Sequence, residues 1–227
     1  MIFSIVTNQM IKDYSIMKLI EHSSIIALIK RDVVPALGCT EPVAVALAAA
    51  KARDILGRKP DTVEILASGN IIKNGMGVGI PGTGAIGLQV AAALGAVAGK
   101  PGRGLEVLDG ITREDIRISL KLVEDRKVTV GVADTPEKLH IEAVCRSGGD
   151  SARVVISGGH TNIVRTERNA SVLMEKNTGE VEYQDSDEEL PELTVESIFE
   201  FSCTAVFEDI RFILDGAKMN RLQKPMT

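Results

Sequence analysis

The chain has 227 residues, of which 44% are hydrophobic and 3% aromatic, with no tryptophan and a net charge of −5. That length can bury a substantial core, one built of Ala, Val, Ile and Leu. The acidic balance, with no basic run longer than Lys30-Arg31, argues against a nucleic-acid partner, and three cysteines without paired spacing exclude a disulfide framework.

In chain order, apolar spacing predicts an amphipathic helix over 16–32, closed by Pro35. A second, Ala-rich helix follows over 41–56, with Thr40 as N-cap, Pro42 in the first turn and Gly57 at the stop. Residues 62–67 alternate as a strand, a glycine-dense loop covers 69–84, and a third helix runs over 85–98. Thr112 and Asp115 form a capping-box pattern that opens a helix to about 124. Short β-rich segments at 128–132, 139–146, 152–156, 162–167 and 171–175 read as an antiparallel meander with a hairpin at Gly158-Gly159. An acidic linker, 185–192, precedes a long final helix over 195–214. The expected fold class is α+β, organised as a helical and glycine-loop region (1–126), the meander (127–184), and the linker with the C-terminal helix (185–227). Met1 to Val6 lacks a secretory signal, and 86–98 is too short to span a bilayer, so a soluble, cytoplasmic protein with no membrane partner is expected.

Cys39, in Pro35-Ala36-Leu37-Gly38-Cys39-Thr40-Glu41-Pro42, is placed where a helix is about to begin. Helix N–H groups and the positive end of the dipole favour thiolate there, the form that attacks electrophiles and binds metals. Cys145 in a strand and Cys203 in a helix read as core packing.

Within the glycine stretch, Gly77, Gly79 and Gly82 satisfy a dinucleotide fingerprint by spacing. The context fails, because the strand is too far upstream and no acidic residue ends a second strand at the required distance. A backbone-lined cradle for a small carboxylate fits better, with Lys73 supplying charge and Asn70, Asn74, Gly75, Gly77 and Thr83 lining it. Close helix packing is the other account of these glycines. His160, with Thr161 and Asn162, follows Gly158-Gly159 and is a candidate for proton transfer or for hairpin closure. His22 and His140 read as surface or structural.

Taken together, the Cys39 segment, Ser68-Gly69-Asn70 through Gly84, and Gly158-Gly159-His160-Thr161-Asn162-Ile163-Val164 resemble the serine dehydratase alpha-chain-like family that includes L-cysteine desulfidase, over about 25–220. The resemblance implies a lyase with a 4Fe–4S cluster and no pyridoxal phosphate. Such an enzyme eliminates hydrogen sulfide from L-cysteine or water from L-serine, through an aminoacrylate that hydrolyses to pyruvate and ammonia. It implies Cys39 as one cluster ligand, Lys73 or His160 as the base, and Asn70, Asn74, Gly75, Gly77, Thr83, Thr161 and Asn162 around the substrate. Members of that family are about twice as long and carry their other cluster cysteines in a second half. A homo-oligomer or a partner chain supplying that half is therefore expected. The alternatives are a non-catalytic amino-acid-binding or regulatory fragment, and a phosphate or nucleotide binder using the glycine loop.

Overall fold

The computed structural model describes residues 22–34, 36, 38–176 and 193–222. They fall into two compact units, one holding 36 and 38–176, the other 22–34 and 193–222. Helix α1, residues 22–32, belongs to the smaller unit. Residues 1–6, the 16–21 part of the first expected helix and the 185–192 linker lie outside the described residues.

The larger unit is α+β. Its six-stranded sheet has the order β2-β1-β3-β4-β5-β6, with β1 Thr62–Ala67, β2 Val128–Val132, β3 His140–Ser147, β4 Asp150–Ser157, β5 Ile163–Arg168 and β6 Ser171–Glu175. Strands β3 to β6 form the expected antiparallel meander. Strand β2 departs from it and lies parallel to β1, in register Val63 to Val128. The helical and meander regions thus share one sheet, because β1 pairs with both β2 and β3.

One face of the sheet is apolar. Val63, Ile65, Ala67, Ile141, Ala143, Cys145, Ala152, Val154, Ile156 and Val164 alternate onto it and are buried. Helices α2 (Thr40–Leu56) and α4 (Leu88–Ala98) cover that face, and α5 (Arg113–Glu124) packs on α4. The opposite face carries cross-strand ion pairs, Glu64 with Arg146 and a ladder of Glu142, Arg153, Glu167, Arg165 and Glu175. Cys145 fits its packing role: its thiol lies 3.7 Å from the Ala49 carbonyl, and burial pushes its pKa up to about 12.

Helix α2 ends at Gly57 in the left-handed conformation, whose N–H caps the Arg53 carbonyl. The expected capping box opens α5, Thr112 and Asp115 each accepting from the other's backbone N–H.

Further expectations are corrected. Residues 69–75 are not loop but a short helix, α3 (Gly69–Gly75). Helix α4 starts at Leu88, not 85, because Ile80 N–H to Ala85 and Gly87 N–H to Val78 tie those residues into a small ribbon. The C-terminal helix of the smaller unit is broken into α6 (Val195–Thr204), α7 (Phe207–Ile210) and α8 (Phe212–Leu222), interrupted at Ala205-Val206 and Arg211. The smaller unit has its own contacts: His22 stacks edge-on to Phe201 at 5.1 Å, and Lys30 lies over the Phe212 ring. Cys203 is exposed on α6, contrary to the core role expected of it. No described helix is long and apolar enough to cross a membrane.

The α2–α4 contact is close enough to exclude any side chain at Gly95, where a Cβ would lie 2.1 Å from the Ala46 carbonyl oxygen. Gly95→Ala should therefore destabilise the fold by about 1–3 kcal/mol through overpacking. Helix propensity alone would give a gain of about 0.5–1 kcal/mol. The melting temperature should fall by roughly 2–4 °C per kcal/mol; a rise would refute the close contact.

Candidate functional site

Helix α2 is buried along its first turns, from Pro42 to Ala50, and its N-terminus emerges beside the glycine-rich segment. Gly38, just before it, has φ +87, and a Cβ there would lie 2.7 Å from Pro81 Cγ. Only glycine suits both the left-handed backbone and the close approach. The Gly38 turn is thereby held against the 76–87 loop. Cys39 itself occupies the N-cap position in extended conformation and makes no side-chain cap bond; Thr40, expected there, is the first helical residue.

The centre of the site is a residue outside the predicted set, Glu41. Its carboxylate accepts from the Cys39 thiol at 2.8 Å, from the Asn74 amide at 3.1 Å and from the Thr40 hydroxyl at 3.4 Å. His160, on the turn between β4 and β5, faces the same carboxylate electrostatically. Three segments far apart in the chain thus converge on one acid at the mouth of a helix, where the dipole favours negative charge. The hydrogen bond from Cys39, with help from Asn74 and His160, holds Glu41 below the usual carboxylate range. The one sequence cue for Glu41 is an acidic residue in the first turn of α2.

The same contact reverses an expectation. Burial, then the Glu41 carboxylate, pushes the Cys39 thiol above its ordinary value, so the helix terminus does not hold it as a free thiolate. Partial burial lowers the His160 pKa, an effect Glu41 opposes.

The remaining predicted residues divide. Asn70 and Lys73 are exposed on α3; Asn70 lies one turn before Asn74 on the same helix face, while Lys73, its sequence neighbour, points to another. Gly77 is exposed and open. Gly75 does not line a cradle: it is buried under Leu88, whose Cδ2 would lie 2.4 Å from an added Cβ. The Thr83 hydroxyl is spent inside its own loop, donating to Ile80 at 2.7 Å and accepting from the Ala85 N–H. Asn162 closes the hairpin by donating to the Ser157 carbonyl at 2.9 Å, and Thr161 is exposed next to it. Among the described residues no three His, Cys, Asp or Glu side chains are grouped to hold a metal. Cys39 is the one thiol at this site.

No family model matches the chain, and no solved structure matches it. Similar curated proteins are UPF0597 proteins. One from Bacteroides fragilis is 46% identical over 202 residues, 88% of this chain and 47% of that protein. One from Oleidesulfovibrio alaskensis is 46% identical over 88% of this chain and 46% of that protein, and one from Parabacteroides distasonis 43% identical over 90% and 48%. The chain spans about half the length of the curated relatives it matches. These names correct the resemblance to the serine dehydratase alpha-chain-like family: the proteins that match this chain carry the UPF0597 name, which states no activity.

Because the Glu41 carboxylate accepts a hydrogen bond from the thiol and its charge opposes a thiolate, Glu41→Gln should let Cys39 ionise at lower pH. In a Cys203→Ser background, where Cys145 is buried, alkylation of Cys39 by iodoacetamide at neutral pH should accelerate. An unchanged or slower rate would show that the carboxylate does not control the thiol.

Proposed function

We propose that the Cys39–Glu41–Asn74–His160 cluster is part of an iron–sulfur-dependent amino-acid lyase site, one that eliminates hydrogen sulfide from L-cysteine or water from L-serine to give pyruvate and ammonia in the cytoplasm. The convergence of a thiol, a carboxylate, an amide and an imidazole beside an exposed glycine segment carries this reading. An elimination needs a base at the α-carbon and a group that draws off the departing sulfur or oxygen. His160 suits the first role better than Lys73. It is half-buried, faces Glu41 and is held towards its neutral form, which can accept a proton at neutral pH. Asn74 fixes the Glu41 carboxylate, and exposed Asn70 borders the space where a substrate carboxylate would lie.

Cys39 suits a single coordination position. A thiol must lose its proton to bind metal, and Glu41 lies 2.8 Å away to receive it. An iron–sulfur cluster bound there would supply Lewis acidity towards the leaving group. The described residues do not make a full ligand set, since Cys145 is sealed against α2 and Cys203 lies in the other unit. Further ligands would come from a partner chain or from the rest of a longer polypeptide. The raised thiol favours one second reading, an amino-acid-binding module without chemistry.

Both readings predict that L-cysteine or L-serine binds this chain, measured by calorimetry, and that Asn74→Ala weakens binding about tenfold, the worth of a hydrogen bond to a charged group. The lyase reading adds anaerobic iron and sulfide uptake with pyruvate release, both lost in Cys39→Ala. Binding without iron uptake or pyruvate leaves the module, and absence of amino-acid binding overturns both.

A further inference from the structure

The smaller unit turns large apolar side chains outward. Among its described residues, Ile25 and Phe201 are the buried apolar side chains. Val195, Ile198 and Phe199 of α6 are exposed, Val195 to 80% and Phe199 to 69%, and so are Val206 and Phe207 after it. The pattern on α6 is ordered, because Val195, Ile198 and Phe199 stand three and four residues apart and share one helix face. A different side of α6 is the one held by α1: Phe201 stacks on His22 at 5.1 Å, and the Thr204 hydroxyl lies 3.3 Å from His22 Nε2. Glu196 and Glu200, four residues apart, form one flank of the apolar stripe, and neither α6 nor α7 contains a basic residue. Single exposed apolar residues are ordinary on any surface, whereas a stripe of them rimmed by charge marks a contact surface. A unit this small is marginal even with its apolar side chains buried.

We infer that the Val195–Ile198–Phe199 face of α6 is a docking surface for the part of a UPF0597 polypeptide that this chain does not match. The relatives point to that occupant. The match, at 43–46% identity, takes up 46–48% of their length, so each carries a counterpart of this chain joined to a further stretch longer than the match itself. Parts of one polypeptide that fold side by side meet through partly apolar interfaces, and the stripe supplies one side of such an interface. Charge argues against a second copy of this chain in that place. A two-fold pairing of α6 with itself would bring two acidic flanks together, with no cation of α6 or α7 to offset them. An apolar groove edged by Lys or Arg is the chemistry that fits. The inference does not rest on the lyase reading: it uses no residue of the Glu41 cluster, and its failure would leave that reading as it stands.

Co-expression of the full chain with the unmatched part of the Bacteroides fragilis relative tests the inference. The two should co-purify as a complex, and alkylation of Cys203, one turn on from Phe199, should slow in it, read residue by residue by mass spectrometry. Phe199→Glu should weaken the complex about tenfold or more, and Glu196→Lys, on the acidic flank, severalfold. Val195→Glu, at an exposed first-turn position where an acid suits the helix dipole, decides the question should Phe199→Glu not fold. If the relative's part is insoluble alone, its rescue by the native chain but not by the folded Glu variant supports the inference, and continued insolubility beside the native chain counts against it. A soluble partner that forms no complex, or a complex indifferent to the Glu variants or to Glu196→Lys, overturns the inference. So does a dimer of this chain alone that Phe199→Glu dissociates, which would make a second copy the occupant.

Discussion

Helix α2 can lie against the sheet and against α4 at once because almost nothing separates their backbones. Its residues from Ala44 to Ala50 bring side chains no larger than Leu47, most of them methyl groups, and Gly95 of α4 sits directly on the Ala46 carbonyl. Interiors are packed to crystal-like density, so one added methyl at such a contact moves backbone and not merely a side chain. Fixing α2 in this way fixes its N-terminus as well. The site is built on that end: Cys39, Thr40 and Glu41 are the last residues before the helix disappears into the core.

At that end a single carboxylate organises what surrounds it. Glu41 takes hydrogen bonds from its own segment and from α3, and interacts with His160 from the sheet's β4–β5 turn. Each partner pulls the acid further towards its charged form, and the charged acid in turn opposes ionisation of the thiol. The outcome is a thiol that keeps its proton and donates it in a hydrogen bond to the charged carboxylate.

Much of the local structure was legible because its causes are local. The Thr112–Asp115 capping box, the Gly57 stop and the Gly158-Gly159 hairpin are each decided by residues within a few positions. What failed depends on distant partners. Residues 69–75 read as loop from their glycines, yet they coil into α3 with Ile71 and Gly75 buried, while the Ser68 hydroxyl is spent on the Lys138 carbonyl. The parallel pairing of β2 with β1 has no signature in either segment, and each reads equally well as part of a meander. The same holds for the site. Cys39, Asn74 and His160 were picked out separately by residue type, but the acid joining them is an ordinary first-turn glutamate until the chain folds. Gly75, Thr83 and Asn162 show the converse, since residue types suited to ligand binding are here occupied by packing and turn closure.

The central claim is that Glu41 is the meeting point of the site. A carbon-detected NMR titration of the Glu41 side-chain carboxyl, in the native chain and in Asn74→Ala, measures this directly. An inflection below the ordinary glutamate range, moving upward when the Asn74 amide is removed, is the predicted result. An ordinary inflection indifferent to Asn74 would contradict it and leave Cys39 and His160 as unrelated surface features.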